Sequence, residues 1–210
     1  VALKIAAKHK DMRAVGMFLK EAAGHGLAAP PGLSGFSGGR SRPSPVLRLF
    51  SFTLEKSEAP VTLSIKGEDI NLGADAGQRF DPVNINRPDL PETQQTDGLV
   101  DVPLIKLAWA RSGDKGDKAN VGVLPRDKAY APWIWAALNK DELKARFAHF
   151  LEGDVERFYM PGTGAMNILM HDILGGGGVA SLRNDPQGKG YSQILLQTPI
   201  PIPQSLAETL

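Results

Sequence analysis

The sequence contains no cysteine, and this absence excludes disulfide bonds, thiolate metal sites and cysteine nucleophiles. Such a composition suits a reducing compartment, so we expect a cytoplasmic protein. No apolar run approaches the roughly 20 residues that a membrane-spanning helix needs, and the first residues lack the pattern of a signal peptide. The formal net charge of only +1 gives no electrostatic reason to expect nucleic acid or a membrane surface as a partner.

The 210 residues, 42% of them hydrophobic, are enough to bury one good core or two small ones. Apolar residues at three- and four-residue steps predict a helix over residues 10–23. A short apolar stretch predicts a strand at residues 1–7, and alternating patterns predict strands at 46–53 and 60–66 that pair as a hairpin.

Residues 73–98 are polar, contain three prolines and show almost no apolar period. This composition is typical of an extended linker that does not pack alone. We therefore place a domain boundary near residue 97. Whether the segment crosses a partner domain or another subunit stays open.

The remaining sequence predicts a chain of short elements that alternate between strand and helix. Pro132 suits a first helical position, and Asn139 suits the cap of the next helix. The predicted strands are 102–110, 119–124, 155–160 and 191–198, and the predicted helices are 132–138, 139–151 and 165–174. The proline-spaced tail after residue 198 is predicted to be an extended arm.

The first two of these strands enclose a hairpin whose turn carries far more functional groups than a turn requires. Gly113 and Gly116 permit positive φ angles, so backbone amides and side chains can crowd one small volume. The polar side chains of this loop are Arg111, Ser112, Asp114, Lys115, Asp117 and Asn120. We interpret the loop as the candidate site, although Asp-Lys-Gly-Asp is also ordinary surface-turn chemistry.

Two features further along the chain suggest additional ligand contacts. Asn167 and His171 are four residues apart, so on a helix they share one face that can be presented to the hairpin. The glycine run at 175–178, which includes Gly176 and Gly177, requires flexible or positive-φ backbone and lets a ligand or another backbone approach closely. Arg183 follows as a candidate clamp for a carboxylate or phosphate.

Together these groups suffice for general acid and base chemistry on an anionic substrate. Asp114 and Asp117 flank Lys115 and keep it charged, and His171 is the natural proton carrier. We predict these four residues as catalytic. We predict the ligand-binding residues to be Arg111, Ser112, Gly113, Gly116, Asn120, Asn167, Gly176, Gly177 and Arg183.

No cofactor and no metal are predicted. The loop lacks the glycine-lysine spacing of a P-loop and leads into a strand, whereas phosphate and dinucleotide fingerprints lead into a helix. Asp114, Asp117 and Asn120 are hard oxygen ligands, but the interleaved lysines would repel a cation and the spacing differs from a calcium loop.

Three separated motifs resemble the acyclic terpene utilisation (AtuA) family, and in particular its C-terminal ferredoxin-fold domain. They are Ala-Arg-Ser-Gly-Asp-Lys-Gly-Asp with Ala-Asn-Val-Gly-Val (110–123), Met-Pro-Gly-Thr-Gly-Ala-Met-Asn (160–167) with His171, and Leu-Gly-Gly-Gly-Gly with Ser-Leu-Arg (174–183). The resemblance covers residues 103–198 and implies an α+β protein, with a C-terminal ferredoxin-like α/β sandwich whose sheet is mainly antiparallel.

Residues 4–72 resemble, more loosely, the tail of the AtuA core domain. The resemblance thus implies three parts: residues 1–72 as the incomplete C-terminal part of an α/β core domain, 73–101 as a linker, and 102–210 as the AtuA-like ferredoxin-fold domain. It also implies that much of the core domain lies outside this sequence, and that the domain associates with the rest of that core or forms a homo-oligomer.

In function, the resemblance implies a catabolic protein that acts on or binds a branched acyl-CoA or a related carboxylate, since the family name refers to the degradation of terpenes such as citronellol and geraniol. The alternative is a noncatalytic ligand-binding or subunit-assembly module. Whether the domain is an enzyme stays open.

Overall fold

The computed structural model describes residues 3–32, 34, 41–48, 50–73, 81, 83, 85, 89–94 and 98–210. The chain divides into two compact units, one formed by Val1–Arg48 with Leu90–Leu210 and one formed by Leu49–Asp89. The predicted boundary at residue 97 lies outside the described residues, and the division at 72 and 101 stays a prediction. Within the described residues, no helix combines the length and the apolar character needed to cross a bilayer.

The smaller unit contains a two-stranded hairpin, β1 (Thr62–Ile65) and β2 (Glu68–Asn71). The predicted pairing of residues 46–53 with 60–66 is wrong, because β1 pairs with the strand after it. Lys66 and Gly67 both have positive φ, at 52° and 87°, which is the conformation of a two-residue turn that matches the twist of a hairpin. The strand pairs locally through that turn.

The larger unit begins with helix α1 (Met12–Ala28), whose first turn is capped by the Asp11 carboxylate. Val15, Phe18 and Leu19 form its half-buried stripe. The helix extends five residues beyond its predicted end at residue 23, through Gly24 and Gly26. The strand predicted at residues 1–7 is wrong, since residues 3–7 form no strand.

The centre of the larger unit is a four-stranded antiparallel sheet with helices α3 (Ala131–Ala137), α4 (Lys140–Arg146) and α5 (Tyr191–Leu196). Its strands are β4 (Ala108–Lys115), β5 (Lys118–Pro125), β6 (Val155–Met160) and β7 (Ala165–Met170), in the spatial order β4-β5-β7-β6. The chain from β5 through α3 and α4 to β6 leaves a gap that β7 fills, which is a split β-α-β unit. A ferredoxin-like unit runs β-α-β-β-α-β along the chain. Here the strand order in the sheet is the same, but the edge strand that would come last in the sequence, β4, comes first.

One face of this sheet packs against the helices and forms the core. Alternate residues of β5 and β7, including Val121 and Ile168, are fully buried on this face. Arg157 of β6 also lies here, where its guanidinium donates to the carbonyl oxygens of Trp135 and Leu138 at 2.7 and 2.9 Å and so caps the end of α3. Burial lowers the pKa of Arg157.

Two predicted elements have the wrong type. Residues 165–174 were predicted as a helix, but β7 is a strand in which Met166, Ile168 and Met170 alternate into the core. Apolar residues at both 168 and 169 satisfy a helical and a strand period equally, and pairing with two neighbouring strands selects the strand. Residues 191–198 were predicted as a strand and instead begin with helix α5.

Other predictions are confirmed with shifted ends. The hairpin of β4 and β5 exists, and β6 has the predicted bounds. The single strand predicted at 102–110 is divided by a helical turn, α2 (Leu104–Leu107). The Asn139 side chain caps α4 by accepting from two backbone amides, although that helix ends at Arg146.

The proline-spaced tail is a strand rather than a free arm. It forms β8 (Pro199–Pro203), which pairs antiparallel with β3 (Leu99–Pro103) and precedes the short helix α6 (Gln204–Ala207). Ile200 and Ile202 are fully buried between the three prolines. This second sheet therefore joins the entry of the C-terminal domain to its exit.

Candidate functional site

The tip of the β4–β5 hairpin is fixed to the glycine run that follows β7. The Asp117 carboxylate accepts from the amides of Gly176 and Gly177 at 2.9 and 3.0 Å. Its carbonyl oxygen accepts from the amide of Ile173 at 3.0 Å. Asp117, predicted as catalytic, therefore uses its carboxylate to order a loop.

Glycine is required where these two loops meet. Gly177 has a φ of 93°, and a Cβ atom at this position would lie 3.3 Å from the carbonyl oxygen of Gly116. Of the two alternatives predicted for the glycine run, a ligand or another backbone, the structure shows the second, with Gly116 as that backbone. Gly176 also has a positive φ, of 102°.

Ser112 is buried, and its hydroxyl joins β4 to the start of α5. It donates to the carbonyl oxygen of Lys189 and accepts from the amide of Ser192, both at 3.0 Å. Because both hydrogen-bonding roles of the hydroxyl are filled by backbone groups, Ser112 serves the packing of α5 rather than ligand contact.

Asp114 lies beside the same helix start. Its pairing with fully buried Ala119 places it on the helix-covered face, where its carboxylate lies 3.8 Å from the Lys189 Nζ. That ammonium also occupies the space above Gly113, at 3.1 Å from where a Cβ would be. Lys115 is exposed and donates to the carbonyl oxygen of Asp114.

His171 is held on the opposite face of the sheet. It continues the alternation of β7, and its Nε2 lies 2.7 Å from the Oε1 of Glu156 on β6. The expectation of a helix face shared with Asn167 is wrong in its element type. The two residues still share one face, because four residues is also a multiple of the strand period. His171 and Asp114 therefore do not converge.

Arg183 packs under the glycine run. Its guanidinium stacks over Phe150 at 5.4 Å and lies 3.5 Å from the Glu152 carboxylate. The adjacent Tyr191 donates to the carbonyl oxygen of Ile173, and burial raises the pKa of its phenol. Arg183 is thus placed at the edge of the core, against Phe150.

A different group of residues converges on the open face of the four-stranded sheet. The register aligns Arg111 with Gly122, Gly122 with Asn167, and Asn167 with Phe158, so these four residues form one row across all four strands. In the described part of the chain, the Arg111 guanidinium has no hydrogen-bond or ion-pair partner. The row therefore carries one free cation.

Four side chains in and beside this row are apolar and only half covered. Trp109 is 52% exposed, Leu124 41%, Phe158 40% and Met160 51%. With Arg111, Gly122, Asn167 and their neighbours they line an open cavity of about 710 Å³. Above Gly122 there is free space, since a Cβ there would meet only the carbonyl oxygen of Arg111, at 3.9 Å. A ligand can thus approach the backbone in the middle of the face.

The amide of Asn167 is oriented by Asn120. The Asn120 Nδ2 donates to the Asn167 Oδ1 at 3.0 Å, which turns the Nδ2 of Asn167 outward as a donor. Asn120 is therefore a positioning residue. The open face offers a guanidinium and an amide donor above an apolar floor, which suits a ligand with an anionic or carbonyl head and a hydrocarbon body.

Of the predicted site residues, the structure brings Arg111, Asn120 and Asn167 together on this face. It places Asp117 with Gly116, Gly176 and Gly177 in the loop junction at the hairpin tip. The sequence reasoning missed the apolar residues of the face. The shared face of Trp109 and Arg111 could be read from the alternation of β4, but Phe158 and Met160 join them through a register that sequence spacing does not reveal.

Comparison with known proteins identifies the domain that carries both regions. No curated protein and no solved structure matches the chain. One protein-family model, the AtuA ferredoxin-like domain, matches residues 102–201. This range contains the four-stranded sheet, the hairpin and the glycine run, so the resemblance read from the three motifs is confirmed. Residues 102–201 of this chain belong to the AtuA ferredoxin-like domain family.

Proposed function

We propose that the open face of the β4-β5-β7-β6 sheet binds a branched aliphatic acid, free or as its acyl-CoA thioester, in a catabolic protein of the acyclic terpene utilisation type. The observation that supports this most directly is the Arg111 guanidinium, which has no partner among the described residues and lies on the same face as four half-exposed apolar side chains. A free cation next to an apolar floor suits an amphipathic anion.

The apolar floor supports a hydrocarbon body. Trp109, Leu124, Phe158 and Met160 surround a cavity of about 710 Å³, which is a common size for a small-molecule site. Each buried methylene contributes about 0.8 kcal/mol, so a terpene-sized chain gains substantial affinity from covering this surface. The absence of a side chain at Gly122 leaves room for methyl branches.

The polar row supports the head group. Arg111 supplies a charge-assisted hydrogen bond to a carboxylate, or to a phosphate of coenzyme A, and Asn167 supplies a neutral donor for a carboxylate or thioester oxygen. Asn120 holds that amide in the donating orientation.

A binding role agrees with the positions of the residues predicted as catalytic. Asp117 orders the glycine run, and Asp114 lies beside Lys189 on the covered face. His171 pairs with Glu156 at the β6 edge of the open face, whereas Arg111 lies on β4 at the opposite edge. None of these arrangements places an acid or a base beside Arg111.

Isothermal titration calorimetry with citronellate, citronellol and citronellyl-CoA tests the proposal. Citronellate should bind more tightly than the uncharged alcohol. The Arg111→Gln substitution should lower the affinity for citronellate about tenfold or more, because a charged hydrogen bond is lost. Arg13→Gln removes a guanidinium that is 90% exposed on α1 and does not line the cavity, so it should leave the affinity unchanged. Equal affinity of citronellate for the wild type and Arg111→Gln would contradict the proposal.

Gly122→Val provides a second variant that acts by shape. Its side chain enters the free space above the row, and valine suits a strand, so the domain should fold normally while the ligand is excluded. Unchanged citronellate affinity in this variant would show that the ligand lies elsewhere.

The exposed tryptophan, phenylalanine and methionine also favour a second candidate, in which the open face is covered by another subunit or by the rest of the AtuA core domain. Light scattering coupled to size exclusion separates the candidates. An assembly role predicts a dimer that Trp109→Glu converts to a monomer, whereas the ligand-binding role predicts a mass that this substitution does not change.

A further inference from the structure

A second concentration of positive charge lies around residues 180–183, after the glycine run and separate from the open sheet face. Two lysines of the N-terminal segment reach this loop. The Lys4 Nζ donates to the carbonyl oxygen of Arg183 at 2.7 Å, and the Lys8 Nζ donates to that of Ala180 at 3.3 Å. These bonds place two ammonium groups against the backbone of the loop that carries Arg183.

The charges of this cluster are poorly neutralised. In the part of the chain that the structure describes, neither lysine has a carboxylate within ion-pair distance. Arg183 has Glu152, at 3.5 Å, and that carboxylate is 74% exposed, so the pair is weak and easily exchanged for another anion. One guanidinium nitrogen of Arg183, Nη1, is buried and has no hydrogen-bond partner among the described residues.

The cluster surrounds a cavity of about 340 Å³, lined by Lys8, Gly175, Ala180, Ser181, Leu182 and Arg183. A neighbouring cavity of about 330 Å³ shares four of these residues and adds Arg42. The space is therefore large enough for a small polyatomic anion, and cations line it from separate parts of the chain.

Neutral groups in the cavity complete the recognition chemistry. The Ser181 Oγ accepts from the amide of Arg183 at 3.2 Å, which leaves its O–H free to donate. Gly175 gives the guanidinium room, because a Cβ at this position would lie 3.2 Å from the Arg183 Nε. A hydroxyl donor beside a guanidinium and an ammonium matches the several acceptor oxygens of a phosphate.

We propose that this cavity is a binding site for the phosphate group of a soluble small molecule, held by Lys8, Ser181 and Arg183. The proposal goes beyond the function of the open sheet face and does not depend on it. A phosphate carries more charge than a carboxylate and presents more acceptor oxygens, so it makes better use of three donors of this kind.

Calorimetric titration of the whole chain with inorganic phosphate and pyrophosphate tests this site. Both should bind, and Lys8→Gln should lower the pyrophosphate affinity about tenfold, because a charge-assisted contact is lost. Arg183→Lys keeps the charge but loses the planar fork and should also weaken binding. Lys20→Gln, the same change on an exposed part of α1, should have no effect.

Two controls decide against the alternatives. Far-ultraviolet circular dichroism of Lys8→Gln must match the wild type, and citronellate affinity should be unchanged in it, which separates this site from the open face. Pyrophosphate binding that neither Lys8→Gln nor Arg183→Lys weakens would overturn the proposal. The proposal would also be overturned if the protein bound neither soluble phosphate but sedimented with vesicles that contain phosphatidic acid. The ligand would then be a lipid surface.

Discussion

The two faces of the β4-β5-β7-β6 sheet are built from the same strands but have opposite surroundings. On one face, residues such as Val121 and Ile168 are fully buried under helices. On the other, Trp109, Phe158 and Met160 are apolar yet half exposed, and Arg111 has no partner in the described part of the chain. In an antiparallel sheet that packs against a core on one face only, the second face normally carries polar residues.

The difference separates stability from recognition. The covered face supplies the packing that holds the fold, so its residues are chosen for shape. Apolar side chains on the open face add little to that packing and remain available to a ligand or partner. Function is therefore best sought among residues that the fold does not need.

The largest expected effect compares a truncation on each face. Ile168→Ala leaves a cavity in the core and should lower the free energy of unfolding by about 2–5 kcal/mol. Leu124→Ala, on the open face, should lower it by no more than about 1 kcal/mol. Urea denaturation of the two variants measures both values. Losses of equal size would mean that the open face is covered in solution.

An intermediate effect is expected at the hairpin tip, where the sheet meets the glycine run. Asp117→Ala removes the acceptor of two amides and should cost about 1–3 kcal/mol. Hydrogen exchange at Gly176 and Gly177 should become faster. Asp114→Ala removes a carboxylate that lies 3.8 Å from an exposed lysine and should cost less than about 1 kcal/mol. A larger loss of stability in Asp114→Ala than in Asp117→Ala would contradict this assignment of roles.

The smallest effect concerns the rim of the covered face, where Lys144 of α4 pairs with Asp154 before β6. The hydrogen bond from Lys144 lowers the pKa of Asp154 from 3.8 to about 2. A carboxyl whose pKa is lowered by folding stabilises the fold above its unfolded value, and this contribution disappears as the pH falls toward 2. The melting temperature of Asp154→Asn should therefore lie slightly below that of the wild type at pH 7 and equal it near pH 2.

Lys144→Gln is the matched control for this pair. It should show the same pH dependence, since either substitution breaks the same hydrogen bond. A difference from the wild type that persists unchanged down to pH 2 would assign the effect to something other than the ionised carboxylate.

The sequence predicted the parts of the domain that depend on local pattern. The strand at 155–160, the hairpin around Gly116 and the cap at Asn139 follow from alternation, glycine and capping chemistry, and all three are present. The helix predicted at 165–174 failed because Ile168 and Leu169 fit two periods, and only pairing with β5 and β6 decides between them.

The candidate site shows the same limit. Proximity in sequence grouped Asp114, Asp117 and Arg111, but strand alternation points Arg111 and Asp114 to opposite faces. The partners of Arg111 in the row, Asn167 and Phe158, come from β7 and β6, and the register that aligns them is a property of the folded sheet. A pattern on one strand cannot specify which residue of another strand will lie beside it.

The pairing of β3 with β8 has a consequence for how this domain is attached to other protein. On β8, the amides of Ile200 and Ile202 point toward β3. The outer edge of β8 has no amide donors, because the alternate residues are prolines, so a further strand cannot be added there. Because Leu99 pairs with Pro203, the chain also enters and leaves the four-stranded sheet's domain at neighbouring points, outside that sheet.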